Sequence, residues 1–178
     1  MKIIEYQACY KKQVEHIAMM TSSKAMVDPI HAKFTLAMYA DPYLDHGIAY
    51  LIEDQGSIYG YILCASNYLS FMSHKEEILS KMPPAYHKRA LKEWTIYAKY
   101  QEHYPAHLHI NLLKETRGMH LGTQLMQTLI QKLKEEHVEG LMLGISLENK
   151  AAIAFYTKNG FHILEQDEVS VVMGLCLK

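Results

Sequence analysis

The chain has 178 residues, 49% of them hydrophobic and 21% charged, which excludes collagen-like, coiled-coil, disordered and membrane-spanning classes. A chain of this length makes one domain and buries roughly 70% of its unfolded surface, so a core needs neither disulfides nor metals. Eighteen lysines and arginines against 19 acids give a net charge of −1, which lacks the basic excess of a nucleic-acid binder, although the 11 histidines would turn the surface positive on acidification.

Lys2 to Glu5 reads as a short first strand. Tyr10 to Met20 places Val14, Ile17, Ala18 and Met20 at helical spacing, and a second helix is expected from about Ala32 to Met38, ended by Asp41-Pro42. Ile48 to Glu53 and Ser57 to Ala65 are rich in tyrosine and isoleucine, and Asp54-Gln55-Gly56 between them signals a hairpin. Residues 66–104 form a long insertion that Pro83-Pro84 interrupts, with a helix expected over Tyr86 to His103. His107 to Leu113 is the next strand, and Leu121 to His137 a helix whose buried stripe is Leu121, Leu125, Met126, Leu129, Ile130 and Leu133.

Gly140 to Ser146 is a near-continuous apolar strand of the kind buried on both faces of a parallel pair. A helix from Asn149 to Lys158 stops at Asn159-Gly160. Strands from Phe161 to Leu164 and Val169 to Leu177 close the chain. An antiparallel front half followed by β-α-β-α-β implies an α/β (α+β) fold: one domain over 1–178, with a mixed central sheet and helices on both faces.

Cys9, Cys64 and Cys176 are odd in number and far apart, which supports neither a disulfide framework nor a zinc ribbon. Glu5 falls before any apolar stretch could make a signal peptide, and no apolar run reaches membrane-spanning length. A cytoplasmic protein is expected, with neither nucleic acid nor membrane as a partner.

The strand at 107–113 feeds the helix at 121 through a loop containing Gly118, and Gly122 follows in the first turn. The N–H groups at a helix start lack intrahelical acceptors, the helix dipole is positive there, and glycines let phosphates approach the backbone. The loop is therefore a natural pyrophosphate cradle, although a bare strand–helix turn fits it equally well. It is neither a Walker loop nor a dinucleotide fingerprint.

Arg117-Gly118-Met119-His120-Leu121-Gly122 resembles the Q/R-x-x-G-x-G/A loop of the GNAT N-acetyltransferase superfamily, with His120 in place of the middle glycine and Lys114 where many members have proline. Asn149-Lys150-Ala151-Ala152-Ile153-Ala154-Phe155-Tyr156, continuing to Gly160-Phe161, is similar to that superfamily's N-x-x-A-x-x-F-Y-x-x-x-G-F pattern. The two motifs stand in the right order, separated by one helix and one strand. The likeness spans the whole chain and is weakest over 66–104. A narrower one, on His107 to Leu113, the Gly60-Tyr61 strand and the insertion, is to the acetyltransferase-like domain of O-GlcNAcase and its free-standing bacterial relatives.

The resemblance implies acetyl-CoA as cosubstrate and direct attack on its thioester by a primary amine in a ternary complex. It implies that main-chain groups of Leu112 and Leu113 pair with the pantetheine arm, and that Arg117, Gly118, Met119, His120, Leu121, Gly122 and Thr123 hold the pyrophosphate. Asn149 would contact the coenzyme, a role it shares with plain helix capping. Tyr156 would protonate the departing thiolate, as a phenol of pKa near 10 can at neutral pH.

His109 is the first candidate for the base, with His107, Asn111 through water, and Glu53 as alternatives. Arylalkylamine N-acetyltransferases carry a similar His-x-His, but relative to the loop arginine this pair is offset by one residue, which on a strand can put it on the other face, and two histidines making ordinary hydrogen bonds at a strand end fit the pair equally well. With no third ligand at suitable spacing, even counting His103, no metal site is expected there. Trp94, Tyr97, Tyr100 and Tyr104 form either packed core or a wall of the acceptor pocket, and His87, Lys88 and Arg89 a solvated face. The alternative to an enzyme is a catalytically silent acyl-CoA-binding or protein-interaction module on the same scaffold, which His120 favours and Asn149 and Tyr156 oppose. The fold also allows pairing of two copies.

Overall fold

In the computed structural model, residues 1–22, 24–116 and 118–178 are described. Strand β1 (Lys2–Glu5) leads into α1 (Lys11–Thr21), whose Val14, Ile17 and Ala18 are buried. Helix α2 (Pro29–Tyr39) starts where the Asp28 carboxylate accepts the N–H groups of Ile30 and His31 and Pro29 occupies the first turn. Asp41-Pro42 does more than end α2. The backbone breaks at Ala40 (φ −131°, ψ −69°), and Pro42 sits in the first turn of a new helix, α3 (Asp41–His46), where its missing N–H costs nothing.

Strands β2 (Ile48–Asp54) and β3 (Ser57–Ala65) form the expected hairpin. Its two turn residues, Gln55 and Gly56, both have positive φ (49° and 84°), the mirrored turn that matches strand twist. The insertion holds more helix than periodicity reveals: α4 (Tyr68–Met72), α5 (Lys75–Lys81) and α6 (His87–Tyr100). The first two are five and seven residues long, too short to print a helical repeat. The Asn67 side chain starts α4 by accepting the Ser70 N–H.

The back half alternates β4 (Ala106–Leu112), α7 (Leu121–Glu135), β5 (Gly140–Ser146) and α8 (Lys150–Lys158), then β6 (His162–Gln166) and β7 (Ser170–Cys176). All seven strands join one sheet in the order β1-β2-β3-β4-β5-β7-β6, antiparallel except for β4 with β5. On one face Val14, Phe34, Tyr43, Trp94 and Tyr97 build a core under α1, α2, α3 and α6. On the other, Leu125, Met126, Leu129 and Tyr156 build a second core under α7 and α8. Helices thus cover both faces of a mixed sheet.

Strand β5 departs from a strand buried along its length in a parallel pair. Gly140 to Leu143 are buried, but Gly144 and Ser146 are exposed and Ile145 half-buried. Its parallel register with β4 extends only over Ala106↔Leu141 and His107↔Met142, while β7 flanks its whole length antiparallel. Beyond His107 and Met142 the two parallel strands part.

Candidate active site at the parting strands

Pairing arithmetic fixes what lines the opening. Leu113 donates its N–H to the Tyr59 carbonyl at 2.8 Å, so in the antiparallel β3–β4 ladder the odd-numbered residues of β4 turn their main-chain groups toward β3. Ile110 and Leu112 therefore present N–H and C=O to the gap. On β5, Leu147 donates to Val169 O, which leaves Gly144 and Ser146 facing the gap from the other side. Leu113 departs from expectation: its N–H is taken by Tyr59, and its carbonyl accepts from both the N–H and the hydroxyl of Thr116. Ile110 takes its place beside Leu112 as the main-chain partner available to an arm in the gap.

A cavity of about 710 Å³ opens at the mouth of this gap on the α1/α2/α6 face, and Tyr39, Tyr61, Glu93, Tyr97, His109 and Asn111 line it. His107 and His109 both point to this face, since both rings pack against Tyr43; the one-residue offset does not carry His109 away from the cavity. His109 Nε2 lies 3.0 Å from the Tyr43 hydroxyl, and its ring meets Tyr39 edge-on at 5.1 Å. Desolvation holds its pKa down at about 4, so the imidazole is neutral at pH 7. His107 is fully buried behind it and does not line the cavity.

Glu93, on α6, accepts the Tyr39 hydroxyl at 2.9 Å. Burial raises its pKa, opposed by that hydrogen bond and by Arg89. The sequence reading missed Glu93, and the only signal was its place one turn before Tyr97 in the aromatic helix. Tyr97 is both core and wall: its ring is buried, and its hydroxyl accepts the Gly144 N–H at 3.2 Å, a donor in the plane of the parted strands. Arg89 is also more than a solvated face, since it lies over the Phe34 ring at 4.8 Å and lines the cavity. His87 Nε2 meets the carbonyl of Leu79 in the last turn of α5 and that of Met82 just after it. Glu53 is removed from the list of bases, because it sits at the β2–β3 turn holding the Gly56 N–H at 2.6 Å and facing Lys2.

The glycine loop lies beneath the same gap. Gly118 (φ 78°) and His120 (φ 57°) both adopt left-handed backbone, which explains why a glycine suits position 120 and why histidine, a residue that tolerates this region, can stand there. His120 is exposed and caps α7 with its backbone alone, and Met119 is also exposed. The N–H groups of Leu121, Gly122 and Thr123 are those of the first helical turn. Arg117 lies outside the described residues. Gly122 packs where a Cβ would come 3.4 Å from Phe155 of α8 and 3.7 Å from Leu112, so the start of α7, α8 and the end of β4 converge at one point.

Helix α8 supplies two more of the predicted residues. Asn149 caps it, its side chain accepting the Ala152 N–H at 3.2 Å. Tyr156 is 6% exposed and packs edge-on against Phe155 and Phe161. Desolvation pushes its hydroxyl above the ordinary phenol range. Tyr156 belongs to the core under α7 and Tyr97 to the core on the opposite face.

Comparison with known proteins gives a consistent result. The model of the Acetyltransferase (GNAT) family matches residues 20–161. The chain is similar to the crystal structure of SsHAT, with a TM-score of 0.81 at 25% identity, covering 99% of this chain and 98% of that one. It has the fold of the ribosomal-protein-S18-alanine N-acetyltransferase from Escherichia coli (TM-score 0.61, 16% identity, 99% and 94% covered). It also has the fold of an aminoglycoside 6'-N-acetyltransferase complexed with coenzyme A (TM-score 0.63, 15% identity, 100% and 98% covered).

Proposed function

Because the chain belongs to the GNAT acetyltransferase family, we propose that it transfers an acetyl group from acetyl-CoA to a primary amine by direct attack within a ternary complex. The observation that carries this reading is the gap between β4 and β5, with a glycine-loop helix start beneath it and a cavity lined by the half-buried carboxylate of Glu93 above it. The N–H groups of Leu121, Gly122 and Thr123 bind the pyrophosphate, with Gly118, Met119 and His120 shaping the loop. Ile110 and Leu112 pair with the pantetheine arm and orient the thioester, whose carbonyl one of their N–H groups polarises. The free amide of Asn149 borders the arm.

On the cavity side, Glu93 neutralises the entering ammonium and takes its proton, while neutral His109 holds the amine in line. A histidine with a pKa of about 4 retains a proton poorly, so the carboxylate is the better acceptor of the two. Tyr156, protonated throughout the neutral range, donates to the leaving thiolate as the C–S bond breaks, and the second proton, shed by the nitrogen as the amide forms, restores the phenol. The O-GlcNAcase-type likeness is a finer reading of the same strand pair, in which β3 sets Gly60 against Leu112.

Calorimetric titration with acetyl-CoA tests the first step, with one site per chain expected. No heat at millimolar coenzyme would overturn the enzyme reading in favour of a silent interaction module. Tyr156→Phe is expected to lower acceptor-dependent thiol release by roughly 10²-fold while leaving coenzyme affinity nearly unchanged. Equal turnover in the variant would remove the tyrosine from the mechanism.

A further inference from the structure

Away from the cavity, the last residue of α3 meets the start of α5. The rings of His46 and His74 stack in parallel, with centroids 3.7 Å apart and an interplanar angle of 8°. Glu77 Oε2 lies 3.5 Å from His46 Nε2 and 3.6 Å from His74 Nδ1, and all three ligand atoms fall within 4.8 Å of one another. These separations are longer than charge-assisted hydrogen bonds, which run about 2.7–2.9 Å. They come close to the edge, about 3.3–3.4 Å, of a tetrahedron built on metal–ligand bonds of about 2.0–2.1 Å.

The carboxylate is held from behind. Lys81 Nζ grips Glu77 Oε1 at 2.7 Å and is itself 3.6 Å from Asp45 Oδ2, which leaves Oε2 turned toward the two imidazoles. In the parallel stack the lone pairs of the two rings lie in separate planes, so one of these partly exposed imidazoles turns about its side-chain torsions to aim at the same ion as the other. All three side chains are partly exposed, so water can complete the coordination.

We propose that His46, His74 and Glu77 bind one divalent transition-metal ion of the zinc class. Two imidazole nitrogens and one carboxylate oxygen select such an ion over magnesium or calcium, which take oxygen ligands. The ion ties the insertion, through α5, to the end of α3 in the front half of the chain. None of the three residues lines the cavity, so the role is to hold structure rather than to activate a substrate.

Titration of the full, metal-stripped chain with zinc chloride tests the assignment, alongside His46→Ala, His74→Ala and Glu77→Gln. One saturable site is expected in the parent, with at least tenfold weaker binding in each variant and a zinc-dependent rise in melting temperature that the variants lose. Circular dichroism checks that each variant is folded; Glu77→Gln, which preserves side-chain size, serves if a histidine variant is not. No saturable site at millimolar zinc overturns the proposal. So does an unchanged site in all three variants, which would move the ion to another histidine or to the exposed thiols of Cys9 and Cys176.

Discussion

His107 has no exposed surface, and Tyr43, Phe71 and Tyr97 wall its ring; neither nitrogen has a hydrogen-bond partner among the described residues. Desolvation, with a smaller contribution from His109, lowers its pKa to about 3. The unfolded chain therefore binds a proton below about pH 6.5 that the folded chain refuses. The stability associated with the neutral ring is complete above that pH and falls as pH drops toward 3, by about 1.4 kcal/mol per pH unit once the unfolded histidine is fully charged. His109, partly open to the cavity, adds to the same trend more weakly. Urea unfolding at pH 7 and pH 5 should show the loss, and His107→Leu should reduce it while leaving the pH 7 value within about 1–2 kcal/mol. An unchanged pH dependence in the variant would mean that the ring finds a proton partner. That a histidine stood on this strand was plain in the sequence, but that one of the pair would be sealed and the other would face a cavity was not. Both follow the same alternation, and only the helices packed above them differ.

At the scale of elements, helix α6 decides the character of the site. It brings Glu93 and Tyr97 over the end of β5 and sets a hydroxyl on the Gly144 N–H where the parallel ladder has lapsed. Tyr97→Phe should cost about 0.5–1.5 kcal/mol, the net worth of one hydrogen bond, because the exposed Gly144 N–H can turn to water instead; chemical denaturation measures it. The start of β5 is equally constrained. A Cβ on Gly140 would lie 2.2 Å from the His103 carbonyl oxygen, a backbone atom that cannot swing aside. Gly140→Ala should destabilise by about 1–3 kcal/mol or more through overpacking, and a variant as stable as the parent would show that the connection after α6 yields freely. Long elements such as α7 and the β2–β3 hairpin were legible because periodicity and turn chemistry agreed over many residues. Helices α3, α4 and α5 were not, because six, five and seven residues carry too few apolar positions to establish a repeat.

For the whole molecule, the proposed coenzyme site would couple ligand binding to global stability. A coenzyme seated between β4 and β5 would bridge two halves of the sheet that share only a two-residue parallel register. Saturation at a hundred times Kd should stabilise the fold by about 2.7 kcal/mol, read as a higher melting temperature with acetyl-CoA; no shift would mean the gap does not take it. No helix among the described residues is long and apolar enough to cross a membrane. By itself, the sequence determined the order of most strands and helices, the mixed sheet, the glycine loop and the Asn149–Tyr156 motif. These depend on residues close together in the chain, whose periodicity, capping and turn preferences act locally. Only the tertiary structure decided that Ile110 rather than Leu113 faces the gap, that Glu93 joins His109 at one cavity, and that His46 meets His74 and Glu77. Those outcomes depend on strand register and on which helix packs over which strand. Both are set by burial across separations of tens of residues, where no local pattern records the partner.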